Sequence, residues 1–236
     1  MTTINVDTIE SSTSTLTIGA SGNSVVAADS VNVNLVKDAS GATMWQSDGA
    51  GVLSNVNSGF GGSLVLLNTT TASNTASVTY TLTNAYKEYI IKCITINPVT
   101  DNVALQFQVS NDDTNYNKTI TSTFYVAYNT ESGTPAALVY DAIWDQSQGT
   151  GFQTIQKEVG NDADQAISAE LHLFNPSSTT YVKNFYARST GTLHHQYVQD
   201  QYAAGYINDT AAMTSIRIKL SSGNINSGKI KMYGVK

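Results

Sequence analysis

The sequence predicts an all-β protein in two parts: an N-terminal trimeric, β-prism-like stalk followed by a C-terminal antiparallel β-sandwich head with a jelly-roll-like fold. Short runs in which apolar and polar residues alternate recur along the chain, and this is the pattern of half-buried strands. Segments rich in Gly, Asn, Asp and Ser separate the runs at regular spacing, as in sandwiches. Two stretches could instead form short helices, "QAISAEL" and "PAALVYDAIW".

The division into two parts rests on composition. Half of residues 1–62 are Ser, Thr, Gly or Asn, whereas all 13 tyrosines lie at or beyond Tyr80. The glycines of "NSGFGGS", residues 57–63, are typical of a flexible joint. We therefore expect a stalk at 1–62, which attaches the chain to its assembly, and a head at 63–236.

The predicted stalk strands are short, and turn segments such as "GASGN" and "DASGA" separate them. A sheet of strands this short buries too little apolar surface to offset the ordering of its backbone, which costs about 1–2 kcal/mol per residue. Three chains winding around one axis would shelter the apolar residues and leave no free sheet edge; disorder is the alternative. The apolar residues expected to form this trimer core are Ile4, Val6, Leu16, Ile18, Val31, Val33 and Leu35.

The head alternates most clearly in "NVALQFQVS", where apolar residues occupy every second position from Val103 to Val109. Gln106 and Gln108 are expected on the opposite, solvated face. The run "SIRIKLS" alternates in the same way. About ten strands without an intervening amphipathic helix predict two packed antiparallel sheets.

Charge and hydropathy exclude several classes of partner. The net charge is −6 and the pI about 4.9, which argues against nucleic acid because such partners require a basic face. No apolar run is long enough to insert into a membrane. The opening "MTTINVDTIE" has no signal-peptide pattern. We expect a protein made in the cytoplasm.

The sequence contains no catalytic motif, so we expect no enzyme and predict no catalytic, cofactor-binding or metal-binding residues. A nucleophile elbow, an HExxH motif and a phosphate-binding loop are all missing. His172 is expected to face solvent on a strand. His194 and His195 are expected to begin a strand and to point to opposite faces, so that they could not share one metal.

Acidic residues cluster in "NDDTN", with Asp112 and Asp113, and in "GNDADQ", with Asp162 and Asp164. Turn formation explains both clusters, because Asp side chains bond to the backbone of their own turns. A calcium site is the alternative, although neither cluster has EF-hand spacing. Cys93 is the single cysteine, which excludes an intrachain disulfide framework.

Three loop aromatics are the candidate receptor-binding residues: Tyr116, Tyr128 and Trp144. Each stands beside Asn, Asp or Gln, a combination in which the ring stacks on a sugar and the polar groups bond its hydroxyls. The alternative is that these rings pack the ends of the sandwich or a trimer interface.

Several segments resemble virion structural and tail-fibre proteins of marine tailed bacteriophages of the cyanophage type. In the N-terminal part these are "TINVDTI", "STLTIGASGNSV" and "KDASGATMWQSDGAGVLSNVNS". In the head they are "PVTDNVALQFQVSND", "LHLFNPSSTTYVKNFY" and "SSGNINSGKIKMYG". The resemblance covers nearly the whole chain but contains no catalytic motif.

The resemblance implies a homotrimeric fibre or appendage located in the virion, with the C-terminal domain outermost. Its partners would be copies of itself, other virion proteins held through the stalk, and a glycan or protein of the host surface. One alternative is a capsid decoration or head fibre with an accessory role in adhesion or shell stabilisation. Another is a monomeric carbohydrate-binding module.

Overall fold

The computed structural model describes residues 35–37, 40–47, 53–54, 56 and 63–236. The regular elements in these residues are all β-strands, and all strand pairs are antiparallel, so the all-β prediction is confirmed. The described residues include no helix that could cross a membrane. The chain divides into two units, Met1–Phe60 and Gly61–Lys236.

The strands, in chain order, are β1 (Leu35–Lys37), β2 (Thr43–Ser47), β3 (Leu53–Ser54), β4 (Leu64–Thr75), β5 (Ser77–Thr81), β6 (Glu88–Pro98), β7 (Val103–Ser110), β8 (Ile120–Thr130), β9 (Ala136–Tyr140), β10 (Ser147–Gly149), β11 (Gln153–Val159), β12 (Ile167–Phe174), β13 (Lys183–Thr192), β14 (Tyr197–Ile207), β15 (Ser215–Leu220) and β16 (Ile225–Val235).

In the first unit, β1, β2 and β3 form a three-stranded sheet in which Val36 lies opposite Trp45. Gly41, in the turn segment "DASGA", has φ +85°, a conformation that glycine adopts without steric cost. Leu35 of the expected trimer core is 42% exposed in the single chain. The other six residues of that core lie outside the described residues, so the trimeric stalk stays a prediction.

The second unit contains two sheets. The larger has nine strands in the order β10-β8-β14-β13-β12-β6-β16-β4, with β9 also paired to β8. The smaller has four strands in the order β11-β7-β15-β5. Strands that follow each other in sequence repeatedly lie in different sheets, so the chain crosses between the two sheets many times.

The hydrophobic core takes its side chains from both sheets. The alternation predicted for β7 and β15 is confirmed, because the apolar residues from Val103 to Val109 and from Ile216 to Leu220 are buried in it. Phe107 of the smaller sheet meets Phe185 of the larger edge to face, with ring centroids 5.0 Å apart.

The polar face of β7 differs from the expectation at one position. Gln108 is fully buried rather than solvated, because the loop before β8 and the loop after β10 cover it. Its Nε2 donates to the carbonyl oxygens of Lys118, at 2.9 Å, and Gly151, at 2.8 Å. A buried amide is tolerated when its hydrogen bonds are made in this way.

The structure also settles the element boundaries that the sequence left open. Both stretches offered as short helices form strands, β9 and β12, each paired in the larger sheet. Strand β4 continues through the polar residues "NTTTASNT" to Thr75, and β10 forms within the segment "DQSQGTG" that reads as a turn. Pairing with β16 and β8 supplies the hydrogen bonds that these polar strands need.

The edges of the sheets are protected unequally. Three edges are formed by short or irregular strands. At one edge of the larger sheet, β9 with five residues and β10 with three both pair with β8. In the smaller sheet, β5 has five residues and β11 has two register shifts. Strand β4 has 12 residues, pairs only with β16 among the described strands, and contains neither a charged residue nor a proline. Charges, prolines and short length are the usual means of blunting an edge, and β4 uses none of them.

Lys183 is a fully buried cation in the second unit. Its Nζ donates to three backbone carbonyl oxygens, those of Ser178 at 2.8 Å and of Tyr181 and Asp209 at 3.0 Å. Burial lowers the pKa of the Lys183 ammonium. The side chain thereby ties together the loops that precede β13 and follow β14.

The acidic pair in "NDDTN" stabilises its own turn. The Asp112 carboxylate accepts hydrogen bonds from the Asn115 backbone N–H at 2.7 Å, the Asn115 side chain at 2.7 Å and the Ser110 hydroxyl at 2.7 Å. These bonds hold the pKa of Asp112 well below its usual range. Asp113 accepts from the Thr214 hydroxyl at 2.6 Å and so fastens the turn to the segment before β15.

We expect Phe107→Ala to lower the free energy of unfolding by about 3–5 kcal/mol, because it removes the ring that joins the two sheets. Urea unfolding of the purified chain measures the change. Ile143→Ala is the control, since Ile143 is 85% exposed and such surface changes stay within about 0.5 kcal/mol. Equal losses in the two variants would contradict the assignment of the core.

We expect Asp112→Asn to destabilise the head at neutral pH, and the deficit to shrink as the pH falls below about 4. The lowered pKa means that the folded head favours the ionised carboxylate, so its stabilisation is present above the unfolded pKa and lost as the pH falls through the folded one. Thermal unfolding at pH 7 and pH 3 tests this. Asp164→Asn, the same substitution in another exposed turn, is the control. A deficit of equal size at both pH values would exclude a charge effect of Asp112.

Candidate functional site

The side chains that β14 directs into the space between the sheets are polar at its start and apolar towards its end. Towards the end of β14 its inward positions hold Ala203 and Ile207, which belong to the apolar core. Towards its start the same face carries Tyr197, Gln199 and Gln201. One end of the sandwich is therefore filled with amide and phenol groups instead of aliphatic side chains.

The glutamines at this polar end are anchored to strand β11 of the smaller sheet. Gln201 accepts a hydrogen bond from the Lys157 backbone N–H at 2.9 Å, and its own Nε2 donates to Gln199. Gln199 Nε2 in turn donates to Glu158 Oε2 at 3.0 Å. Because each amide holds its neighbour, the polar end is ordered despite its lack of apolar packing.

A cavity of about 320 Å³ lies at this end, within the size range of small-molecule sites. Its walls come from β8, β11, β14, the turn before β14 and the segment before β9. The lining residues are Tyr128, Pro135, Lys157, Glu158, His195, Tyr197 and Gln199.

Aromatic side chains form one wall of this cavity, which we call the Tyr128 cavity. The pairing of β8 with β14 places Tyr128 opposite Gln199, with Tyr197 two residues earlier on the same face. The rings of Tyr128 and Tyr197 are nearly parallel, at 12°, with centroids 6.3 Å apart. The His195 ring follows at 5.9 Å from that of Tyr197.

Charged and polar groups complete the lining. Lys157 Nζ lies 2.8 Å from Asp141 Oδ2 and 3.6 Å from Glu158 Oε1. Both signs of charge are therefore present at hydrogen-bonding distance from each other. The cavity offers hydrogen-bond donors, acceptors and apolar ring surface together.

The backbone around the Tyr128 cavity departs from its usual conformations. Glu158 has φ +58° and Gln196, between His195 and Tyr197, also has φ +58°. Residues other than glycine rarely adopt this region, and those that do are concentrated in binding and active sites. Glu158 itself lines the cavity, and Gln196 lies between the lining residues His195 and Tyr197.

The three receptor-binding candidates lie in different surroundings. Tyr128 lines the cavity. Tyr116 is only 8% exposed, bonds Ser215 Oγ through its hydroxyl at 2.8 Å, and has the Arg217 guanidinium 3.8 Å from its ring centroid. Trp144 packs half-buried against the core. Of the three, Tyr128 is the residue that stands beside an open space with polar partners.

The histidines differ from expectation in two respects. His172 lies on the outer face of the larger sheet but is only 9% exposed, since its ring stacks on Tyr186 at 4.4 Å and its two nitrogens lie 2.6 Å from Glu88 and Glu170. The expectation that His194 and His195 point to opposite faces is wrong. They occupy the turn before β14, and their ring centroids are 3.5 Å apart.

Within the described residues, no group of three or more His, Cys, Asp or Glu side chains is placed to hold a metal ion. Cys93 is buried in the core, and burial raises the pKa of its thiol to about 12. The Tyr128 cavity thus offers binding chemistry, through ring faces, amides and an ion pair.

The sequence did not identify most of the cavity-lining residues as candidates for a site. The period-2 set Tyr197, Gln199, Gln201 in "HHQYVQDQY" is the signal that could have revealed it, because amides replace aliphatic residues at inward positions. Lys157 and Glu158 carried no such signal. Their place in the lining depends on how the smaller sheet lies over the larger one.

Comparisons with known proteins identify no relative of this chain, so the functional proposal is argued from its sequence and its geometry. A scan against protein-family models finds no match, and searches of curated proteins and of solved structures find none either.

Proposed function

We propose that this chain is a structural component of a tailed-phage virion, a homotrimeric fibre or appendage whose C-terminal head contacts a glycan of the host surface. The resemblance of its segments to phage tail-fibre proteins and its all-β fold support this proposal. Only 13% of its residues are charged, and neutral polar surfaces of Ser, Thr, Asn and Gln suit repetitive β structure.

The Tyr128 cavity is the observation that carries the glycan part of the proposal. A sugar ring presents an apolar face and a rim of hydroxyls that both donate and accept hydrogen bonds. Tyr128 and Tyr197 supply ring surface for the first, while Gln199, Lys157 and Glu158 supply acceptors and donors for the second. One such site binds weakly, and three copies on one appendage would raise the avidity.

The proposal includes a jelly-roll head. Strand connectivity supports it, because β5 to β6, β6 to β7, β7 to β8 and β14 to β15 all pass from one sheet to the other. The first and last strands of the unit are neighbours in both sheets, β4 beside β16 and β5 beside β15. This wrapping supports a head related in organisation to the jelly rolls of capsid and lectin domains.

The stalk in this proposal comprises residues 1–62, which hold the trimer together and attach it to other virion proteins. The low content of apolar side chains in residues 1–62 supports the trimer, because a single copy has too few of them to form a hydrophobic core. Tail and capsid attachment predict different labelling of purified particles by an antibody against the head.

We expect Tyr128→Ala to weaken glycan binding by the intact chain by at least about tenfold, because it removes a stacking surface. An array of bacterial surface glycans measures the binding. Tyr181→Ala is the matched control, since Tyr181 is exposed on a loop away from the lining. Wild-type silence across the array, or equal losses in both variants, would overturn the glycan assignment.

We expect the intact chain to have a solution mass three times that of the 25.2 kDa subunit, measured by native mass spectrometry or light scattering. Three chains sharing one axis are the physical basis of the expected stalk. A single-subunit mass with residues 1–62 ordered would contradict the trimer and favour a monomeric binding module.

A further inference from the structure

A second concave surface lies on the outer face of the nine-stranded sheet, away from the Tyr128 cavity. It spans β6, β12, β13 and β14, and its volume is about 480 Å³. Core residues such as Ala169 and Ala187 point inward from these strands, so their neighbours in sequence point out. We call this surface the outer hollow.

The hollow arises from a change in side-chain length between adjacent rows of the sheet. In one row Lys92, Glu170 and Arg188 lie side by side on three strands. In the next row Ser168 lies opposite Thr190. Short side chains beside long ones leave a depression, and the sheet backbone forms its floor.

Two ion pairs stand at the hollow. Lys92 Nζ lies 2.7 Å from Glu170 Oε2, and Arg188 binds Asp200 through two nitrogens, at 2.8 and 3.0 Å. The four charges cancel. A ligand with a net charge would therefore be attracted by one member of each ion pair and repelled by the other.

The polar groups of the hollow are held in place before any ligand arrives. Glu170 is bonded on its other oxygen by His172 Nε2 at 2.6 Å, so that two partners fix its carboxylate. The Arg188 guanidinium also lies over the Tyr202 ring, 5.1 Å from the centroid. Groups that are already ordered lose little entropy on binding, which favours affinity.

We infer that the outer hollow is a second binding site of the head, and that it takes a neutral saccharide. Hydroxyl groups are the ligand groups that fit this lining, since each can donate to Glu170 or Asp200 and accept from Lys92 or Arg188. The Thr190 hydroxyl can both donate and accept, and the Ser168 hydroxyl, which accepts from the Thr95 backbone N–H at 3.1 Å, keeps its own proton to donate. The volume lies within the range of small-ligand sites.

This inference rests on the proposed function, in which the head contacts a host-surface glycan, and adds a site at a different place on the same head. The Tyr128 cavity lies on the inward face of β14, whereas the outer hollow lies on the opposite face of the sheet. A glycan chain with repeated units could engage the two sites of one head separately. Their variants can therefore be tested independently.

The experiment is a titration of the intact chain with maltotriose, cellotriose, mannotriose and chitotriose, followed by the NMR shifts of backbone amides. We expect at least one neutral trisaccharide to shift the amides of Ser168, Arg188 and Thr190. Thr190→Tyr fills the hollow with a ring at an exposed strand position and should weaken this binding by at least about tenfold. Thr123→Tyr, the same change on the same face outside the lining, should leave it intact.

Arg188→Gln removes one ion pair without filling the space, and the same loss of affinity is expected from it. Tyr128→Ala should leave the shifts at the hollow unchanged, so a failure of the hollow and a failure of the Tyr128 cavity are distinguishable. The inference is overturned if Thr190→Tyr binds as the wild type does, or if no neutral trisaccharide shifts these amides. Shifts produced only by sialic acid or phosphocholine would also overturn it, because they would show a charged ligand.

Discussion

The contact between the inward faces of two sheets is the constraint on which the head depends. Strand alternation sends every second side chain into the inter-sheet space, and the Phe107–Phe185 pair shows how closely the two layers meet there. Where those inward residues are aliphatic, the space closes into a core. Where β14 supplies Tyr197 and Gln199 instead, the space stays partly open, and the Tyr128 cavity is the result.

Charge on the head is sparse and locally balanced. Lys157 meets Asp141, Lys92 meets Glu170, and Arg188 meets Asp200, so cations and anions are found together at both concave surfaces. The Lys92–Glu170 and Arg188–Asp200 pairs are partly exposed, and pairs of this kind contribute little to stability, with a median of about 0–1 kcal/mol. Their effect is to keep polar groups oriented, and this suits ligands recognised through hydroxyls.

The sequence predicted the class of the fold and the apolar faces of its clearest strands, because alternation in stretches such as residues 103–109 reports burial directly. It did not predict which polar residues become buried. Gln108 and Lys183 are covered by loops, and nothing local distinguishes them from solvated neighbours. The sequence offered Tyr128 as a candidate because an aromatic beside amides is a local signal, and the residue lines the cavity. Glu158 and Lys157 join it only when the smaller sheet closes over the larger.

Strand β4 has a consequence for how the protein is made and handled. Within the described residues, β4 forms one edge of the larger sheet over 12 residues without a charge or a proline, and side chains bond its backbone near its end, at Ser73 and Asn74. A peptide backbone in this state recruits any extended segment that can complete the ladder. A lysine introduced into β4 is therefore expected to reduce edge-to-edge pairing between molecules in concentrated preparations.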